Sequence, residues 1–181
     1  MVAQIRHKTF ITYHHDDEDE VIDFVNEFDY YRDIFIARGI GEGMPGDVIN
    51  SSDTVYVMRR IRELYLTNST VTIVLIGRCT WARRYVDWEI QASLRHGDVT
   101  TPNGLLGIVL PSVGSNPTAP ERLSLNLKDP NSNQGYARWY WYPQTEYDLA
   151  QWIEDAYEAR TTRDHFIENS RDRFANNRTC F

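Results

Sequence analysis

Two unbroken apolar runs, VTIVLI over Val71–Ile76 and LLGIVL over 105–110, set the tightest limits on what this chain can become. A strand with no polar face must be covered on both sides, and crossover helices are what cover a sheet twice, so each run predicts an interior strand of a mostly parallel sheet. Both runs are strand-sized and far too short to span a bilayer.

The segments between them supply the helices. Residues 8–13 (KTFITY) read as a first strand ending in the polar burst HHDDEDE, and Val21, Ile22, Val25 and Phe28 then recur at helical spacing behind acidic residues suited to a helix start. Residues 31–37 predict a second strand, followed by a Gly- and Pro-rich loop, GIGEGMPGDVINSSDT. Asp53 and the serines before it open a helix carrying Val57, Met58, Ile61, Leu64 and Tyr65, and Asn68 closes it before the third strand. Val86, Ile90 and Leu94 predict a helix over 85–94. Residues 111–136 read as a long irregular loop, 137–142 as a fifth strand, and Thr145 with Asp148 as the capped start of the most periodic helix, with Leu149, Trp152, Ile153, Ala156 and Tyr157. From about 161 a polar tail is expected to continue helical before fraying.

The expectation is a single α/β domain over 1–181, doubly wound and flavodoxin-like, with a five-stranded parallel sheet in the order 2-1-3-4-5 and helices on both faces. Ligands of such sheets bind beyond the carboxyl ends of the strands where the order reverses, so loops 13–17 and 77–84 should wall a crevice. The helix after the third strand then carries Glu89, roughly 60° from Val86 around the axis and one turn past Tyr85. On spacing alone Glu89 is an ion-pair partner for Arg78, Arg83 or Arg84, the favoured reading, or a catalytic carboxylate at the crevice mouth.

Composition narrows the partners. A net charge of −7 and a pI near 5.2 disfavour nucleic acid and anionic membrane surfaces. Cys79 and Cys180 match neither a metal spacing nor a secreted disulfide framework, and no apolar leader opens the chain, so a reducing, cytoplasmic setting is expected. A reactive Cys79 beside Arg78 is disfavoured. His14, His15, Asp16 and Asp17 are read as a polar rim and no metal is expected, because adjacent side chains at a strand end point apart. Trp139, Tyr140, Trp141 and Tyr142 are read as core and edge packing rather than a base-stacking surface. An Asp-phosphorylated receiver is disfavoured, because that chemistry wants another Asp ending strand three, where this chain has Gly77 and Arg78.

Taken together, KTFITYHHDD, STVTIVLIG and RRYVDWEI resemble the TIR-like family of the ThsB proteins of Thoeris anti-phage defence, over roughly the first hundred residues. The resemblance implies a TIR fold that cleaves the nicotinamide glycosidic bond of NAD and forms an ADP-ribose-derived, cyclic signal nucleotide, the chemistry of an NAD glycohydrolase or cyclase. NAD is consumed as substrate and no further cofactor is implied. An effector protein would read the nucleotide, and an infection-derived activator or assembly into a homo-oligomer would switch the enzyme on. The family's W-x-x-x-E pattern falls on Tyr85 to Glu89, with Tyr in place of Trp, so Glu89 inherits the catalytic assignment and Tyr85 the stacking one. Beside that resemblance, Tyr13, His14, Arg78, Thr80 and Arg84 are candidates for the adenosine diphosphate end, and the loop with Gly41, Gly43 and Gly46 for a closing lid. A TIR-like protein-interaction module without turnover, and a nucleoside glycosyl transferase, stay open as alternatives.

Overall fold

In the computed structural model, residues 5–39 and 50–181 are described; the expected lid glycines Gly41, Gly43 and Gly46 lie outside them. The strands are β1 (His7–Thr12), β2 (Phe35–Arg38), β3 (Val71–Ile76), β4 (Gly104–Val109) and β5 (Arg138–Tyr140), all parallel and ordered β2-β1-β3-β4-β5. The flavodoxin-like order expected from the sequence is the order found. Every residue of β3 and β4 is buried, as unbroken apolar runs require.

The helices are α1 (Glu18–Val25), α2 (Thr54–Ile61), α3 (Arg84–Ser93), α4 (Glu121–Asn126) and α5 (Glu146–Thr162). The two-residue alternation of the strands sorts them onto two faces. Ile11, Ile73, Leu75, Leu106 and Ile108 pack against Val21, Phe24 and Val25 of α1 and Leu149, Ile153 and Ala156 of α5. Phe10 points the other way, into a cluster with Val57 and Ile61 of α2 and Trp88 and Ala92 of α3. Val74, Ile76, Leu105 and Val109 meet Val86 and Ile90 of α3 and Leu123 of α4 on that same face. Sequence-predicted caps hold: the Asp53 carboxylate accepts the amides of Val55 and Tyr56 at 3.0 and 3.1 Å, and Thr145 accepts that of Asp148 at 3.1 Å.

Four regions depart from expectation. Strand two begins at Phe35 rather than at 31, because α1 runs on through wide turns over Asn26–Tyr31 and the chain reverses at Asp33, with φ of 55°. Residues 111–136 hold α4 and bury Arg122, Leu123, Asn126 and Tyr136; a six-residue helix is too short to display a period, and two of its inward residues are polar. The last segment is not helical: after a turn at Asp164–Phe166, residues 167–181 form an irregular strap along α3. Trp139 and Trp141, expected to pack, stand 39% and 53% exposed, while Tyr140 stacks on Trp152 with centroids 4.0 Å apart.

Candidate active site

Thr12 closes β1, an interior strand beside the point where strand order reverses, and shares the sheet face of Phe10. Its hydroxyl therefore points at α3, where it donates a hydrogen bond of 2.5 Å to Glu89 Oε2. This puts the Glu89 carboxyl at the carboxyl end of β1, on the border between the stripe of Val86 and Ile90 and the cluster of Tyr85, Trp88 and Ala92. Among the described residues no cation pairs with Glu89, although the ion pair was the favoured reading of the sequence. Burial pushes its carboxyl up to about 7, and the Thr12 hydrogen bond offsets part of that rise. The residue nevertheless keeps some surface open to solvent.

The arginines expected near Glu89 turn to the C-terminal strap instead. Arg78 donates to the main-chain oxygen of Phe181 at 3.1 Å, Arg83 to that of Arg178 at 3.1 Å, and Arg84 to that of Ala175 at 3.4 Å. Arg84 also donates to the Tyr85 hydroxyl at 2.6 Å and lies over the Tyr85 ring, which meets Trp88 edge-on. The strap closes on this wall through a disulfide between Cys79 and Cys180, with Cα atoms 5.7 Å apart, which corrects the expectation of two unpaired cysteines. Sequence distance hid the pair, since 101 positions separate its members.

The two loops expected to wall the crevice, 13–17 and 77–84, lie side by side and touch. The Asp17 carboxylate lies against the Cα of Gly77, where a Cβ would come within 1.9 Å of Oδ2, so only glycine permits the approach. Thr80, fully buried, accepts the Gly77 amide at 2.9 Å and is committed to this turn rather than exposed to a ligand. Burial, with Glu20 and Asp16 nearby, raises the Asp17 carboxyl.

His14 is buried, and its Nδ1 accepts the amide of Asp16 at 2.9 Å. The neutral ring therefore carries its proton on Nε2. Burial holds its pKa below the ordinary value, with Arg83 and His15 adding to the effect against Asp16. His14 and His15 do not point apart, as adjacency had suggested, because the chain turns here and their rings stack at 4.6 Å. Their ligand atoms and that of Asp16 lie within 4.8 Å of one another, but a metal would have to displace either the Asp16 amide from Nδ1 or the proton from Nε2. Tyr13 falls on the opposite face from Glu89, packed towards α1 with its hydroxyl 3.4 Å from Glu18. The structure thus brings Glu89 and Tyr85 to one flank of α3 and leaves Tyr13 and Thr80 away from that carboxyl.

Three residues that matter here escaped sequence reasoning. Thr12 could have been found from its two-residue spacing to Phe10. Asp87, set between the apolar Val86 and Trp88, is buried and bonded to the fully buried Arg122 at 3.0 Å. Asn177 caps α3 from the strap, its side-chain oxygen accepting the Arg84 amide at 2.9 Å, and no local pattern announces a cap 93 residues away.

A parallel sheet of this order, with the glutamate-bearing helix after its third strand and the carboxyl at the switch point, is the architecture of TIR-like α/β domains. The family model described as Thoeris protein ThsB, TIR-like domain, matches residues 10–115, more than half of the chain, and the chain belongs to that family of anti-phage defence proteins. The matched stretch holds Thr12, the walls and Glu89, and excludes β5, α5 and the strap. No curated protein matches the chain significantly. No helix among the described residues is long and apolar enough to cross a membrane.

Proposed function

We propose that this protein consumes NAD, breaking the nicotinamide glycosidic bond and converting the ADP-ribosyl group to a cyclic signal nucleotide that an effector reads in anti-phage defence. The observation that carries the reading is the Glu89 carboxyl, set at the switch point with a hydroxyl for partner and no neutralising cation among the described residues. The structural carboxylate on the same helix, Asp87, has such a cation in Arg122.

Nicotinamide departs with the electron pair of the C–N bond and leaves as a neutral molecule, so no metal or strong acid is required. Positive charge then develops on the ribose, and a nearby carboxylate in a water-poor site stabilises it. An internal or added nucleophile completes the transfer and releases its proton. Oε1 of Glu89 has no protein partner among the described residues, which suits it to a ribose hydroxyl. Tyr85, one turn away, presents a ring held by Arg84 and Trp88 against which a planar group can stack.

The carboxylate form is the competent one, and burial raises that group to about 7. Turnover should therefore climb with pH through neutrality and level off about one unit higher. The test follows nicotinamide release and product mass from NAD, with purified protein and in phage-infected cells, beside Glu89→Gln. A fall of about two orders of magnitude or more in the variant is expected. Equal turnover by both proteins would remove Glu89 from the mechanism.

A further inference from the structure

We propose that Thr12 is the positioning residue of the site: its hydroxyl holds Glu89 Oε2, fixing the carboxylate plane and leaving Oε1 as the oxygen that meets the ligand. The inference rests on the reading of Glu89 as the reacting carboxylate. It follows from the geometry of two elements that sequence keeps 77 positions apart.

Thr12 is 1% exposed, so water cannot readily take over its bond to Glu89. Its backbone is held in the sheet by pairing with Val74 of β3, and its β-branched side chain has few rotamers to choose from. Glu89, by contrast, has a long side chain with several torsions, and the described residues hold its carboxyl through this bond alone. A rigid donor on a strand thus orients a flexible acceptor on a helix. A hydroxyl does this without adding positive charge, so the carboxylate keeps its full field for a cation that develops in front of it. An arginine in the same place would orient Glu89 equally well and cancel the charge the reaction uses.

A second consequence separates this role from mere packing. A hydrogen bond donated to the ionised form favours that form, so Thr12 opposes the effect of burial on Glu89. Losing the hydroxyl should leave the fold intact and move the titration of Glu89 upwards. Thr12→Val matches the shape, Thr12→Ala removes the hydroxyl with less crowding, and Thr12→Ser restores a donor.

The experiment titrates the Glu89 carboxyl by carbon-detected NMR, with its signal assigned by its absence in Glu89→Gln, and records nicotinamide release against pH for the same proteins. We expect the Val and Ala variants to titrate about one unit above the wild type, the worth of one such hydrogen bond, with the alkaline rise in release shifted equally. The Ser variant should titrate and turn over as the wild type does. If Glu89 titrates alike in wild type and in folded Val or Ala variants, the proposal is overturned, whatever the activity. If the titration shifts as expected but the wild type releases no nicotinamide in either setting, the positioning role stands and the NAD-consuming reading falls.

Discussion

Asp87 and Glu89 stand two residues apart on α3, roughly 200° around its axis, and their surroundings are opposite. Asp87 is wrapped in positive charge and donors: Arg122 at 3.0 Å, Arg171 at 3.5 Å and the Phe174 amide at 2.8 Å. Glu89 has the hydroxyl of Thr12. Both carboxylates sit on a helix packed against the core, Asp87 buried and Glu89 with some surface open to solvent, so the sharper difference lies in their partners. The chain supplies cations where a carboxylate ties α4 and the strap to α3, and withholds them where one faces the switch point. This contrast, more than the presence of an acidic residue, is what supports the reading proposed for Glu89.

The largest test breaks the neutralised side. Asp87→Asn keeps the shape but leaves Arg122, itself fully buried, without its counter-charge. Unfolding in denaturant should show a loss of roughly 3–5 kcal/mol, the cost of orphaning one member of a buried pair. A loss below about 1 kcal/mol would mean that solvent or another group compensates Arg122, and the contrast between the two carboxylates would weaken.

The reciprocal test concerns Glu89, and its sign is opposite. Its carboxyl titrates near 7 in the folded chain against an ordinary value of 4.5, so the folded state holds an extra proton between those limits. Stability from this group is fully present below pH 4.5 and falls as pH rises to 7. Glu89→Gln removes the dependence. The variant should match the wild type near pH 4 and exceed it by roughly 3 kcal/mol at pH 8 in denaturant melts at the two pH values. A variant less stable than wild type at pH 8 would show that Glu89 has a favourable charge partner after all.

How far these two residues could be read beforehand follows from their physics. The order of the sheet was legible because β3 and β4 leave no polar face, and the stripe of Val86, Ile90 and Leu94 set the orientation of α3 well enough to put Glu89 on its border. The partners of both carboxylates were not legible. Arg122 falls in the stretch 111–136 that reads as an irregular loop, because the helix that buries it has six positions and no visible period. The strap reads as a fraying tail because its anchors are sparse in sequence; they include a disulfide and bonds at the Phe174 main chain, whose oxygen accepts from Trp88 and whose amide donates to Asp87, and neither kind leaves a hydrophobic pattern. Spacing alone makes Arg78, Arg83 and Arg84 near neighbours of Glu89, but the first turn of α3 aims Arg84 at the strap, and the loop before it aims the other two the same way.

The smallest test asks whether the strap sharpens the contrast by fixing the helix that carries it. Arg83, in extended conformation, provides no side-chain cap to α3, and the Arg84 amide is satisfied by Asn177 across 93 positions. Asn177→Ala removes the acceptor and leaves that amide to water, which should cost about 1 kcal/mol, within the usual range for a lost helix cap. Hydrogen exchange should quicken at the first turn of α3, around Tyr85, and leave Ile90 and the β3 amides unchanged, because the loss is confined to one turn. Equal exchange at Tyr85 in both proteins would mean that the disulfide and the contacts of Phe174 hold the strap and the helix start by themselves. In that case the electrostatic difference between Asp87 and Glu89 is set by the middle of the strap, where Arg171 and Phe174 reach Asp87, and its end near Cys180 serves the arginine wall alone.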